Sequence, residues 1–201
     1  MNLEGELNMK NLLYIAMIIL VGAGLGACDL IKPKPPKEEK PEVRKSEDIT
    51  SEAKVLASSS LPDDKNHGWT YGPASAVDGD KETCWSEGDD GDGVGEWIKL
   101  SFPEKVVVTR IGVIPGYDRI FRDDVGDRFY KNNRVRELRV EFSDGTTQSL
   151  RFKDSREMQF FVVPEKETRY LRFTVAGVYT DGAKWADCCI SEITVEGYPV
   201  D

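Results

Sequence analysis

Apolar residues recur at every second position through most of the chain after Trp97. A strand half-buried against a core needs that period, and a helix cannot use it. Leu138, Val140 and Phe142 alternate with Arg139 and Glu141, and Leu171, Phe173 and Val175 alternate with Arg172 and Thr174. Further strand-like runs are Trp97 to Phe102, Val106 to Ile114, Thr146 to Phe152, Met158 to Val163 and Ile190 to Glu196. Turn punctuation such as Ser143-Asp144-Gly145 separates them, and no stretch sustains helical periodicity. About 150 residues, 49–201, are enough for one core of ordinary size. The pattern predicts an all-β domain, an antiparallel sandwich or jelly roll of about eight strands, with Trp85 and Trp97 in its core.

The start of the chain has a different character. An apolar run from Leu12 to Ala27 follows Lys10 and closes on Gly24, Gly26 and Ala27. It falls short of the roughly 20 apolar residues that span a bilayer. A short apolar run behind a positive charge, ending in small residues, reads as a signal peptide. Leu25-Gly26-Ala27-Cys28 resembles the lipobox of bacterial lipoproteins, which implies cleavage after Ala27 and a lipid on the Cys28 thiol. The alternative is an uncleaved anchor with an incidental cysteine. Glu4 and Glu6 suit a leader poorly, so Met9 is a candidate initiator. Residues 1–27 are therefore expected to be a signal peptide, with 28–48 a disordered tether and 49–201 the folded domain. The string IKPKPPKEEKPEVRKSED, from Ile31 to Asp48, is too polar and Pro-rich to bury a core. The expected location is the cell envelope, at the outer or plasma membrane, with the lipid as the only membrane contact.

Between Asp29 and Asp48 six Lys and Arg balance six Asp and Glu, so nearly all of the net charge of −9 lies beyond the tether. That excludes nucleic acid, which demands a basic face, and suits a cation. The segment Ser75-Ala76-Val77-Asp78-Gly79-Asp80-Lys81-Glu82-Thr83-Cys84-Trp85 is the most informative chemistry. An Asp-Gly-Asp turn aims carboxylate and carbonyl oxygens inward and Thr83 adds a hydroxyl, the mixed oxygen set that Ca²⁺ takes. A plain surface turn is the alternative.

Asp78-Gly79-Asp80 with Thr83 and Trp85, and Cys189-Ile190-Ser191-Glu192-Ile193, resemble the discoidin-type (coagulation-factor C-type) β-sandwich. More narrowly, several strings are similar to the NADase-type glycan-binding (translocation) domain of bacterial NAD-glycohydrolase toxins: Trp85-Ser86-Glu87-Gly88, Gly93-Val94-Gly95-Glu96-Trp97-Ile98, Tyr130-Lys131-Asn132-Asn133-Arg134-Val135, Phe142-Ser143-Asp144-Gly145 and Asp187-Cys188-Cys189-Ile190-Ser191-Glu192. The resemblance implies a discoidin-like jelly roll with a structural cation, expected to be Ca²⁺, where the domain's two ends meet. Side-chain oxygens would come from Asp78, Thr83 and Glu192, and carbonyls from Ser75, Asp80, Thr83 and Ser191. If those ends meet, Cys84 reaches Cys188 or Cys189, and a disulfide from Cys84 to Cys189 is expected. Buried free thiols are the alternative.

Sugar recognition needs an apolar face for the ring and planar donors for hydroxyls. The long loop from Gly116 to Arg134 offers Tyr117, Arg119, Tyr130, Asn133 and Arg134, and Glu87, Trp69 and Tyr71 lie on loops that could share its rim. The acidic run Glu87 to Asp92 is a flexible turn or a second cation site. The only histidine, His67, has no nucleophile in a recognised order, so catalysis is not expected. In the toxins the resembling domain binds and a separate domain cleaves NAD, and no such catalytic domain is expected in this chain. The expected function is non-catalytic carbohydrate binding; a protein–protein adaptor or toxin-delivery-type binding domain using the same loop face is the alternative.

Overall fold

A computed structural model describes residues 44–65, 67–123 and 126–200. The expected signal peptide, Cys28 and most of the expected tether lie outside the described residues. Among the described residues nine strands follow one another: β1 (Glu47–Asp48), β2 (Lys54–Ala57), β3 (Trp85–Ser86), β4 (Trp97–Ile114), β5 (Asn133–Phe142), β6 (Thr147–Arg151), β7 (Gln159–Tyr179), β8 (Cys188–Ile190) and β9 (Glu192–Pro199). They form one curled sheet in the order β1-β9-β4-β7-β5-β8-β3, with β2 on β4 and β6 on β5. Nine strands compare with about eight expected, but the bookkeeping differs more than the total.

The runs Trp97 to Phe102 and Val106 to Ile114 are one strand, β4; Met158 to Val163 and Leu171 to Val175 fall on another, β7. Both strands pass from one half of the sandwich to the other. The first half of β4 pairs with β2 and the second half of β7, while its second half pairs with β9 and the first half of β7. The register shifts between Ser101 and Val106 and between Val108 and Arg110. Pro103 sits in the first shift and Pro164 opposite the second, where a residue without an N–H removes no ladder bond. Glu165, with φ 32°, turns β7 at the same corner. The runs on either side of each proline, expected as separate strands, are thus continuous through a bulged ladder.

The core lies between the two halves. Ile98, Leu100, Leu138, Val140, Leu171 and Phe173 from one half meet Val108, Ile111, Val113, Ile193 and Val195 from the other, with Trp85 fully buried among them. Trp97 departs from expectation: it is half-buried on the outward side of β4, because Ile98 and Leu100 take the inward positions. The domain also begins earlier than expected, since Glu47 and Asp48 pair with Gly197 and Glu196. Asp48 Oδ1 accepts the Thr50 N–H at 2.9 Å and the Thr50 hydroxyl at 2.5 Å, which ties the end of the tether into the sheet.

One pairing is parallel, against the antiparallel expectation. Asn133 and Arg134 of β5 lie beside Cys188 and Cys189 of β8, and β8 in turn takes β3 through Trp85–Ile190 and Ser86–Cys189. Residues about 50 and 100 positions apart are thereby gathered at one end of the sandwich.

Candidate functional site

Two clusters of chemistry lie at that end. The first is built on the turn after the 3-10 segment Pro73–Ala76. Asp78 Oδ1 accepts the Asp80 N–H at 2.9 Å, and Gly79 takes φ 78°, a conformation that the missing Cβ permits. Thr83 Oγ1 then lies 3.1 Å from the Ser75 carbonyl, 2.8 Å from the Asp80 carbonyl, and 3.0 and 2.8 Å from the two Asp78 carboxylate oxygens. A hydroxyl carries one proton, so most of these contacts crowd acceptor against acceptor. Glu192 Oε2 accepts the Gly79 N–H at 3.0 Å, joining the C-terminal segment to the turn. Burial pushes the Glu192 carboxyl up to about 7, with Asp78, Asp48 and Asp80 adding to the rise. The donors are all oxygens, the set a hard cation takes. Among the described residues no three His, Cys, Asp or Glu side chains converge as a metal cluster, so carbonyls and the hydroxyl would have to complete the shell. Ser191 is buried, and its hydroxyl accepts the Asp118 N–H at 2.9 Å.

Beside this turn Cys84, Tyr117 and Cys189 form a small buried cluster backed by Tyr71 and Phe121. Cys84 and Cys189, the pair expected to form a disulfide, lie side by side in this cluster, and with Cys188 they are drawn as free thiols. The Cys189 thiol faces Ser86 Oγ at 3.4 Å and the Asp187 carbonyl at 3.8 Å. Burial pushes the Cys84 thiol well up, which keeps it protonated, and the pair packs as small apolar groups.

The second cluster is a cleft of about 200 Å³. Trp69, Tyr71, Tyr117 and Trp185 give it aromatic walls, while Arg128, Asn132 and Asp187 supply charge and amide groups. Its rim is braced by stacking. His67 lies 4.5 Å from Trp69 at 22°, Trp69 is 4.5 Å from Phe121, and the Arg128 guanidinium sits 4.5 Å from Phe121 and 5.3 Å from Trp185. Asp123 pairs with Arg128 and fixes its orientation. Burial raises the Asp187 carboxyl, partly offset by its own backbone N–H. Burial also pushes the Tyr71 phenol up to about 12.

Of the expected ligand residues only Tyr117 lines this cleft. Three others are corrected, because the fold has already taken their polar atoms. Arg134 is 1% exposed: Nε and Nη2 donate to Asp154 at 2.9 and 2.7 Å, and Nη1 donates to the Asn132 and Asp181 carbonyls at 3.2 and 3.1 Å. Asn133 Nδ2 donates to the Ala186 carbonyl at 2.6 Å and the Asp92 carbonyl at 3.4 Å. Glu87 is fully buried and accepts the Cys188 and Asp89 N–H groups at 3.0 and 2.8 Å, so the acidic run is anchored at its first residue. Arg119 lies 4.4 Å over Phe121, and Tyr130 is exposed, edge-on to Phe129 at 5.0 Å; neither lines the cleft. Trp69 and Tyr71 do line it, from the other loops named for the rim. Sequence reasoning missed Arg128, Asn132, Trp185 and Asp187. The string Trp185-Ala186-Asp187, an aromatic and a carboxylate in a loop just before β8, was the available signal.

The family model described as NAD glycohydrolase translocation F5/8 type C domain matches residues 47–196. An α-(1→3)-arabinofuranosyltransferase of Mycobacterium tuberculosis is 27% identical over 126 residues, which is 63% of this chain and 8% of that protein. The chain thus spans about 8% of the curated relative it matches. A family 32 carbohydrate-binding module of Clostridium perfringens NanJ, solved with galactose, has a TM-score of 0.54 at 14% identity, covering 76% of this chain and 99% of that one. Another C. perfringens module of that family, solved with GalNAc-β-1,3-galactose, has a TM-score of 0.52 at 14% identity, covering 73% and 96%. The fold is therefore the discoidin-like β-sandwich.

The Arg134 contacts predict a structural role that mutation can expose. Asp154→Ala strands a buried guanidinium and should cost about 3–5 kcal/mol of stability. Urea unfolding that shows a loss under about 1 kcal/mol would contradict this role.

Proposed function

The chain belongs to the NAD glycohydrolase translocation F5/8 type C domain family, and on that premise we propose that its domain is a non-catalytic glycan-binding module. The observation that carries this reading is the convergence of Trp69, Tyr71, Tyr117 and Trp185 with Arg128, Asn132 and Asp187 around one cleft. Aromatic faces suit the C–H surface of a sugar ring, and the guanidinium, amide and carboxylate suit its hydroxyls. The cleft holds no paired nucleophile and base, and His67 sits outside it with Nδ1 2.8 Å from Asp64.

Galactose and GalNAc-β-1,3-galactose, the ligands of the two clostridial modules, are the first probes to test by calorimetry. A hydrogen bond to a charged group contributes about 1.5–3 kcal/mol, so Asp187→Asn should weaken a bound sugar about tenfold or more without changing the melt. Asp187 also sets a pH dependence. Its carboxyl accepts from a hydroxyl about twice as strongly when ionised, and burial raises the pH at which it protonates. Affinity should therefore hold at neutral pH and fall on acidification, beginning above the usual carboxylate range, and Asp187→Asn should flatten that profile. Binding of a polypeptide that free sugar does not compete would favour the adaptor reading.

We assign the oxygen cluster at Ser75, Asp78, Asp80, Thr83 and Glu192 to a structural Ca²⁺, supported by the four acceptors around one hydroxyl. The ion would neutralise Asp78 and Glu192 and fix the turn to β9. At 100 times Kd, binding to the native state alone adds about 2.7 kcal/mol. Ca²⁺ should raise the melting temperature and Asp78→Ala should abolish the rise; identical melts with Ca²⁺ and with chelator, in protein shown ion-free by elemental analysis, would refute the assignment.

We further propose that the chain is lipid-anchored at Cys28 in the cell envelope, on the strength of Leu25-Gly26-Ala27-Cys28 behind an apolar run. Wild-type protein should enter the detergent phase on phase separation and Cys28→Ser should leave it; equal partitioning would dismiss the anchor.

A further inference from the structure

The outer face of the half-sheet β2-β4-β7-β5-β6 bears a charge opposite to that of the chain. Register places Leu56, Lys99, Arg172, Glu141 and Thr147 in one row across the strands, and Trp97, Thr174, Arg139 and Ser149 in the next. Lys54, Ser101 and Tyr170 form a third row on the other side of the first. The alternation of buried and exposed positions confirms that these residues point away from the core, which Ile98, Leu100, Leu138, Val140, Leu171 and Phe173 fill from the opposite side.

Among the described residues Lys54, Lys99, Arg139 and Arg172 form no ion pair. Aromatic rings hold two of them. The Lys99 ammonium lies 4.0 Å over Tyr170, and the Arg172 guanidinium lies 4.6 Å over Trp97 with its Nε–H lacking a hydrogen-bond partner. The carboxylates on and beside these rows are otherwise engaged: Glu141 accepts the Tyr170 hydroxyl at 2.8 Å, and Glu137 pairs with Arg151 at 3.5 Å. Glu141, the cross-strand partner of Arg172, is the one acid in these three rows, so four cations stand against a single carboxylate on a chain of net charge −9.

We propose that this face binds an acidic polysaccharide, lying flat across the strands. Three features select that occupant. Lys99 and Arg172 are cross-strand partners about 4.8 Å apart, and Lys54 and Arg139 each stand one strand further out on the diagonal, about 7–8 Å away, so a ligand must present anions repeatedly along its length, as a polymer with one carboxylate per sugar does. The four cations come from four neighbouring strands, so an occupant that meets them all must run across the strands. Stacking on the rings holds Lys99 and Arg172 in place, so little side-chain freedom is lost when they meet an anion. The remaining negative charge of the domain does not prevent this, because charges more than about 8 Å apart are largely screened at physiological ionic strength. The face and the cleft share no residue, and the two can be tested separately.

The test uses the full chain on immobilised polygalacturonate, with a neutral galactan and phosphatidylglycerol vesicles as parallel arms. Retention on polygalacturonate is expected at low salt, with elution as salt rises. Lys99→Gln with Arg172→Gln should weaken retention about tenfold, and Trp185→Ala, a cleft change, should leave it unaltered. Should the double variant melt early, Lys54→Gln with Arg139→Gln removes two exposed charges and should give the same direction. Retention that neither pair of variants lowers would overturn the proposal, as would retention on vesicles but not on polygalacturonate, or equal retention on the neutral galactan.

Discussion

Arg134 stands at the start of β5 with its guanidinium closed off from water and each of its three nitrogens donating. Its partners come from three separate segments: Asp154 after β6, the carbonyl of Asn132 before β5, and the carbonyl of Asp181 after β7. A buried charge persists only when its hydrogen bonds are met, so these segments must be where they are for the fold to tolerate it. The Asp181 contact matters most for the cleft, because the same loop carries Trp185 and Asp187 into β8. Asn133 extends the clamp by holding the Ala186 carbonyl, and the parallel ladder with Cys188 and Cys189 completes it. The cleft walls are thus set by a polar brace beneath them.

The oxygen cluster acts at a second seam. Asp48, Thr50, Gly79 and Glu192 tie the first strand, the Asp-Gly-Asp turn and the last strand together within a few hydrogen bonds. Like charges gather there, and burial holds Glu192 partly against ionisation. Without a counter-charge the seam sets acceptor against acceptor, and a hard cation would relieve that conflict. Between turn and cleft, Cys84, Tyr117 and Cys189 fill a small buried cluster.

Much of this was legible in the residues. Alternation from Leu138 to Phe142 and from Leu171 to Val175 placed the inward side chains correctly, and the Asp78-Gly79-Asp80 turn with Thr83 assembles as its composition indicated. The ligand loop was harder. Arg134, Asn133 and Glu87 have the composition of a binding surface, and their burial depends on loops 20 to about 100 residues away that close over them. Trp97 erred in the other direction: a large aromatic in a strand suggests core, but the parity set by Ile98 and Leu100 turns it outward, where Arg172 covers it.

The sequence by itself determined the all-β class, the faces of the regular strands and the oxygen chemistry of one turn. Those properties follow from neighbours two to five residues apart, and local geometry carries them. Only the tertiary structure decided that prolines sit inside long bent strands, that β5 and β8 pair in parallel, and which polar groups stay free for a ligand. A side chain such as Arg134 or Asp187 is available or spent according to what distant segments bring within about 3 Å of it, and no spacing along the chain encodes that distance.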